Sequence, residues 1–391
     1  MRVYLDHNAG APLRPAAREA MIRFMRSAAE GNPASVHRSG QRARKMLEQA
    51  RAEVASLIDA PPRSIVFTSG GTEANNLAIC GAVGNTKRRR IVSCPIEHSS
   101  VREPLAALKR QGFEIVELNV DHEGKIAAEL DPIDRDTALV TIGLANSEVG
   151  TIQNLQAIAE TARRIGALFH VDAAQAAGRI PIRIADLDCD LMTISAHKLG
   201  GPAGIGALYV RPGCRLEPQL LGGPQEGGLR AGTPNLCGAL GFAAAVRETL
   251  SRLAEERDRI ASLSQILLSR LKQSIKGLRL NGPPQDRLPN TLNLTFPGAF
   301  GETLLIALDL EGVEASIGSA CAAGSVEPSH VLVAMGRSRD EARSAIRLSL
   351  GWNTTSEEIE YAAEIIPAVW RRVASAQAGS LAAAELVGRP S

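Results

Sequence analysis

Apolar positions in the first sixty residues recur at helical spacing. Leu13, Ala17, Ala20, Met21, Phe24 and Met25 share one face, as do Ala43, Met46, Leu47, Ala50, Val54, Leu57 and Ile58, so two amphipathic helices are predicted. Between them Gly31-Asn32-Pro33 and Ser35-Val36-His37 break both periodicities and read as an ordered loop. From residue 63 to 210 the pattern changes to short apolar runs separated by helical segments. The runs are Ser64 to Phe67, Ile91 to Cys94, Ile115 to Leu118, Ala138 to Ile142, Leu168 to Val171, Leu191 to Ile194 and Gly206 to Val210. This alternation predicts an α/β domain with a mainly parallel seven-stranded sheet flanked by helices. Beyond residue 250 a helix carrying Ile260, Leu263, Leu267 and Leu271 leads to two strand-like runs, Asn290 to Phe296 and Ala345 to Leu350, which read as a smaller α+β C-terminal domain. The expected division is a large domain over 14–250, a small domain built from 1–13 and 251–375, and an Ala-rich tail over 376–391.

Composition narrows the function classes. A chain of 391 residues is large for a single core, and its 45% hydrophobic but only 3% aromatic content suits layers of Ala, Leu, Ile and Val. A net charge of +2, from 44 basic and 42 acidic residues, provides no field to recruit nucleic acid or an anionic membrane. The one dense basic run, Lys87 to Arg90, is expected to be a solvated turn. Met1 to His7 lacks the apolar core of a signal peptide and no window approaches the ~20 apolar residues that span a bilayer, so a cytoplasmic location is expected. Cysteines at 80, 94, 189, 214, 237 and 321 form no C-x-x-C pair, which argues against a zinc site or a disulfide framework and for small core residues.

In a parallel sheet, ligands sit beyond the strand C-termini. Three polar segments fall there. Thr68-Ser69-Gly70-Gly71-Thr72-Glu73-Ala74-Asn75 places paired glycines between a strand and a helix start, where free N–H groups and the helix dipole favour a phosphate; a plain tight turn is the alternative. The segment lacks the Lys of a P-loop and the spacing of a dinucleotide fingerprint, which disfavours a nucleotide. Asp172, in His170-Val171-Asp172-Ala173-Ala174-Gln175, ends an apolar strand. It is either a helix N-cap or a carboxylate facing a cation such as a protonated pyridine nitrogen, a pair worth roughly 4 kcal/mol at about 4 Å before desolvation. Lys198, in Ser195-Ala196-His197-Lys198-Leu199-Gly200-Gly201-Pro202, sits among small residues before a turn, a setting in which a desolvated amine can attack an aldehyde while Ser195 and His197 hydrogen-bond a phosphate.

Together these segments resemble the cysteine desulfurase family, within the class V aminotransferase group of fold type I pyridoxal-phosphate enzymes. The resemblance runs from Tyr4-Leu5-Asp6 to Ser349-Leu350-Gly351. It includes Gly31-Asn32-Pro33, Phe67 to Asn76, Glu97-His98, Asn146 to Thr151, His170 to Gln175, Ser195 to Lys198, Gly232-Thr233 and Gly318-Ser319-Ala320-Cys321. It implies pyridoxal 5'-phosphate carried covalently by Lys198, paired at its ring nitrogen with Asp172, bonded at its phenolate oxygen by Gln175 and stacked on His98. Gly71, Thr72, Ser195 and His197 would hold its phosphate, and Thr233 would reach the cofactor of the partner subunit in a homodimer. Asn146 and Arg347 would bind the substrate carboxylate, a task suited to a planar two-pronged donor.

Cys321 lies in a run of small residues, Ala315 to Ser325, that packs poorly and is expected to move. The implied reaction converts L-cysteine to L-alanine, with Lys198 and His98 moving protons and Cys321 collecting the sulfur as a persulfide. An iron-sulfur scaffold or other sulfur acceptor would be the partner; no resident metal is implied, although Cys321 could ligate a cluster transiently with such a partner. A selenocysteine lyase, a plain class V transaminase and a docking protein for iron-sulfur scaffolds are the competing readings. The chain departs from the family pattern at Asn8-Ala9-Gly10-Ala11, Ala231 and Leu199-Gly200-Gly201.

Overall fold

The computed structural model describes residues 1–27, 31–84, 86–317 and 327–387, with side chains through residue 378. The chain opens with β1 (Val3–Tyr4), α1 (Pro15–Arg26) and α2 (Arg38–Ser56). Strands and helices then alternate: β2 (Ile65–Thr68), α3 (Gly71–Val83), β3 (Arg90–Ser93), α4 (Ser99–Arg110), β4 (Glu114–Glu117), β5 (Thr137–Gly143), α5 (Gln156–Ile165), β6 (Leu168–Asp172), α6 (Ile184–Leu187), β7 (Leu191–Ser195) and β8 (Gly206–Val210). The remainder comprises α7 (Leu236–Ser274), β9 (Arg279–Asn281), β10 (Thr291–Thr295), α8 (Gly301–Leu310), β11 (Val313–Glu314), α9 (His330–Ala334), α10 (Arg339–Arg343), β12 (Ala345–Ser349) and α11 (Ser356–Val387).

The seven apolar runs form one sheet in the order β2-β8-β7-β6-β5-β3-β4. Neighbours from β4 to β7 are parallel, and β8 pairs antiparallel with both β7 and β2, so β8 alone runs backwards. β5, β6, β7 and β8 are near-continuously buried because helices cover both faces. A three-stranded antiparallel sheet, β12-β10-β9, and the parallel pair β1-β11 lie apart from it. Their core joins Leu263, Leu267 and Leu271 of α7 to Leu292, Ile346 and Ile366.

Three features go beyond the periodicity. α7 begins at Leu236 and runs unbroken for 39 residues, packing Phe242 and Val246 into the large-sheet core and Leu267 and Leu271 into the second core. Its middle carries charged residues that hide the continuity in the sequence. The Lys87–Arg90 run is not simply a solvated turn: Arg88 donates to the carbonyls of Ile165 and Gly166 at the end of α5 and of Thr137 at the start of β5, and Arg90 pairs with Glu114 and Asp134. The Ala-rich C-terminal segment continues α11 as far as Val387. Among the described residues no helix is long and apolar enough to cross a membrane. Cys94 and Cys189 are buried, and Cys80, Cys214 and Cys237 are partly so.

Arg14, just ahead of α1, is 3% exposed; it grips Glu256 of α7 with both prongs at 2.6 and 2.9 Å and donates to the Leu199 carbonyl at 3.0 Å. A buried pair of this kind is costly to break from one side, because the remaining charge stays desolvated. Arg14→Met should therefore cost about 3 kcal/mol in urea-unfolding stability, and adding Glu256→Met should recover part of the loss. Equal stabilities for the parent and Arg14→Met would contradict this.

Candidate active site

The forward-running strands end at one edge of the sheet, and the segments leaving that edge surround a cavity of about 530 Å³. One end of the cavity is built for an anion. β2 turns into the 13-residue α3 through Gly70, an N-cap with no side chain to cover the first-turn N–H groups, while Gly71 and Thr72 line the cavity. That turn lies hard against β8, where a Cβ on Gly206 would come within 2.8 Å of the Gly70 backbone. Ser195, at the end of β7, is 2.9 Å from His197 Nδ1 through its hydroxyl. Burial, with Lys198 and Arg179 nearby, lowers the His197 pKa to about 4, so the imidazole is neutral at neutral pH. Uncapped amides and neutral donors converge here.

Midway along the cavity, Asp172 ends β6. Its Oδ1 accepts from the Ala174 N–H at 2.9 Å and its Oδ2 from Asn75 Nδ2 at 2.8 Å. No helix follows; residues 173–178 form turns, so the carboxylate braces a turn with one oxygen and lines the cavity as well. Behind it, fully buried His170 bridges the Thr141 and Thr193 hydroxyls at 2.8 and 3.1 Å, and burial lowers its pKa to about 4. His98 is the N-cap of α4, its Nδ1 accepting from the Ser100 N–H at 3.1 Å. A neutral His98 ring therefore carries its proton on Nε2. Burial lowers its pKa; Lys198 and Arg347 act in the same direction and Asp172 opposes them.

Lys198 closes a 3-10 turn, Ala196–Lys198, directly after β7. The turn depends on Gly200, whose φ of +88° suits glycine and where a Cβ would strike Arg14 Cγ at 2.6 Å. Lys198 Nζ donates to the carbonyls of Asn8 at 2.6 Å and Ala9 at 3.0 Å. Burial, then Arg179 and Arg347, lower its pKa to about 8, with Asp6 and Asp172 opposing. Gln175 Nε2 donates to the same Asn8 carbonyl at 3.0 Å.

At the far end stands Arg347 of β12, almost fully buried, bonded to the Ser147 carbonyl at 3.1 Å and to Asp6 Oδ1 at 2.7 Å. Asn146 has its Oδ1 bonded by the Glu148 and Val149 N–H groups at 2.9 and 3.0 Å, and it donates to the Ile96 carbonyl at 2.9 Å. One Nδ2 proton is left for a ligand.

The cavity thus collects Gly71, Thr72, His98, Asn146, Asp172, Gln175, Ser195, His197, Lys198 and Arg347. Thr233 is outside it, exposed in the loop before α7, where Arg230 pairs with Glu73 of α3 at 2.8 Å. Cys321 lies outside the described residues; on either side of its segment, Ser316 pairs backbone-to-backbone with Arg347, and Glu327 and Pro328 line the cavity. Asp6, Asn8 and Asn75 carry contacts that sequence reasoning did not assign. So do two buried carboxyls. Glu97 accepts from Cys94 Sγ at 3.0 Å and the Gly143 N–H at 2.8 Å, its pKa raised by burial to about 7, and Glu148 accepts from the Ser329 hydroxyl. Both stand in the motifs that carry the family resemblance, and their signal was an acidic residue beside an apolar one in the segment that follows a strand of the large sheet. Among the described residues no cluster of three His, Cys, Asp or Glu side chains is placed to hold a metal.

Residues 3–362 match the aminotransferase class-V family. The chain is 42% identical to a cysteine desulfurase IscS of Dictyoglomus turgidum over 372 residues, 93% of each protein. It is 41% identical to a putative cysteine desulfurase IscS 1 of Bacillus subtilis, across 95% of this chain and 99% of that protein. The solved structure of a NifS-like protein superposes with a TM-score of 0.88 at 36% identity, covering 94% of this chain and 99% of that one. On the family match, the identities and the superposition, the chain belongs to the cysteine desulfurases of the class-V aminotransferase family.

Proposed function

We propose that this protein is a pyridoxal-phosphate-dependent cysteine desulfurase that converts L-cysteine to L-alanine and passes the sulfur to Cys321 as a persulfide. The observation that carries the reading is Lys198: a half-buried amine at the cavity, held by two carbonyls, between an uncapped helix start and a buried-strand carboxylate. Those residues fit the cofactor. Gly71, Thr72, Ser195 and His197 would hold the phosphate, Asp172 the ring nitrogen, Gln175 the ring oxygen, and His98 the ring face. When bound, pyridoxal phosphate supplies an electron-withdrawing ring that acidifies the α-proton of an amino acid and weakens its β-substituent.

The chain's own groups do the rest. Arg347 and the spare Asn146 proton orient the substrate carboxylate. Lys198 Nζ, with its pKa lowered to about 8, is about a tenth neutral at pH 7, far more than an ordinary lysine, and takes the α-proton. His98, braced through Nδ1 by Ser100, exchanges a proton at Nε2. The Cys321 thiolate attacks the substrate's Sγ; an S–S bond forms, the C–S bond breaks with its electron pair left on carbon, and protonation of that carbon gives alanine. Ser316, paired with the cavity-lining Arg347, and Glu327, which lines the cavity itself, flank the Cys321 segment and support this role.

We further propose a homodimer, supported by the exposed loop that carries Thr233 and by Leu221, which is 83% exposed on the same loop. A cytoplasmic location accords with the absence, among the described residues, of a membrane-length apolar helix. The persulfide would be delivered to an iron-sulfur scaffold or another acceptor protein.

Cofactor-loaded protein given L-cysteine and a reductant should release sulfide and alanine in equal amounts. Cys321→Ala should keep the visible absorption and lose at least about a hundredfold in sulfide release; undiminished release would refute the role of Cys321. Cofactor uptake by cofactor-free protein provides a pH test. Only the neutral amine attacks an aldehyde, so the uptake rate should rise with pH and level off above about 8, the Lys198 value. A rate still climbing tenfold per unit between pH 8 and pH 10 would mean an ordinary lysine.

A further inference from the structure

Arg179, on the turn after β6, is engaged only by neutral groups. Its Nη1 donates to the Gln175 carbonyl at 2.8 Å and to Gln175 Oε1, and its Nη2 donates to the carbonyls of His7 at 3.1 Å and Lys198 at 3.5 Å. No carboxylate lies within ion-pair distance of it among the described residues, and burial together with Arg347 lowers its pKa to about 9, which leaves it charged at neutral pH. The nearby carboxylate of Glu256, across a cavity of about 40 Å³ shared with Arg179 and Lys198, is already taken up by Arg14.

A guanidinium has donors and no acceptor, so the Gln175 amide atom that meets it must be the oxygen. The amide nitrogen is thereby turned the other way, to the Asn8 carbonyl at 3.0 Å, with one N–H left at the cavity. Without Arg179 the orientation of this amide would rest on the Asn8 carbonyl alone, an acceptor that Nε2 shares with the Lys198 amine. The second prong ties the backbone of Lys198 to that of His7, whose neighbours Asn8 and Ala9 hold the Lys198 amine. A lysine in place of Arg179 would supply a charge but no planar fork spanning both groups.

We propose that Arg179 is a positioning residue that fixes the Gln175 amide with its N–H toward the bound cofactor and stands as an uncompensated positive charge behind Lys198. The inference rests on the reading that Lys198 and Gln175 meet the cofactor. Both effects have one direction. A cation beside the Lys198 nitrogen disfavours its protonated form, and an N–H donated to the ring oxygen withdraws charge from the group to which that nitrogen is attached. The other charged and titratable groups facing Lys198 are Asp172 from β6, Arg347 from β12, Asp6 and His7 from the N-terminal segment, His98 from α4, and the adjacent His197. Arg14, Glu256 and Arg257 border the small cavity behind it, and all of these stay in place in the variants.

The test is a pH titration of the visible absorption of the cofactor-loaded protein. Arg179→Met should raise the midpoint by about one pH unit. Arg179→Lys, which keeps the charge and loses the fork, should raise it by less than half as much. Arg179→Met made on Gln175→Ala should raise it less than on the native protein, because the contact through the amide is already gone. A midpoint unmoved in Arg179→Met, with only thermal stability lowered, would overturn the proposal. If that variant does not fold, an unmoved midpoint in Arg179→Lys does the same. A native protein without a visible band would instead contradict the reading of Lys198 and Gln175, and the proposal with it.

Discussion

Lys198 ends on the carbonyl oxygens of Asn8 and Ala9 and, among the described residues, has no carboxylate partner. Much of the surrounding structure is arranged around that one placement. A protonated amine would gain more from a carboxylate than from two carbonyls, and the two nearby acids are otherwise engaged: Asp6 holds Arg347, and Asp172 is braced by Asn75 and its own turn. Burial and two guanidinium groups push the amine further toward neutrality. A neutral amine is a nucleophile and a base, which an ion-paired lysine is not.

The remaining polar groups fall into place because six strands run the same way. Ser195 and Asp172 are the last residues of β7 and β6, and Gly143 is the last of β5. A parallel sheet brings such ends together without any special contact between them. The cavity then spans two cores, since Arg347 comes from β12 of the second sheet and Asn8 from the N-terminal segment, which joins β12 through the bridge between Asp6 and Ser349. The two cores are not independent, because α7 is built into both.

Most of the fold was legible because its sheet strands are short apolar runs, buried in all but the edge strand β4, and the observed boundaries lie within one or two residues of the runs. Less legible were elements whose burial comes from elsewhere. β1 and β11 are two residues each and are strands only through pairing with one another. α7 conceals its length behind charged residues that serve as partners, Glu248 and Glu256 among them. At the site, residues with reactive side chains stood out, whereas supporting residues did not. Asn8 contributes a backbone carbonyl, which no side-chain pattern reports, and Asn75 and Arg179 act through neighbours distant in sequence. Thr233 stands apart from the cavity, exposed in the loop before α7.

Attachment of the cofactor to Lys198 is the claim on which the account depends most directly. Protein loaded with pyridoxal phosphate, reduced with borohydride, digested and mapped by mass spectrometry reads that attachment residue by residue. The account predicts a pyridoxyl adduct on the peptide containing Lys198 and its loss in Lys198→Ala. An adduct confined to other lysines, or none at all, would contradict it.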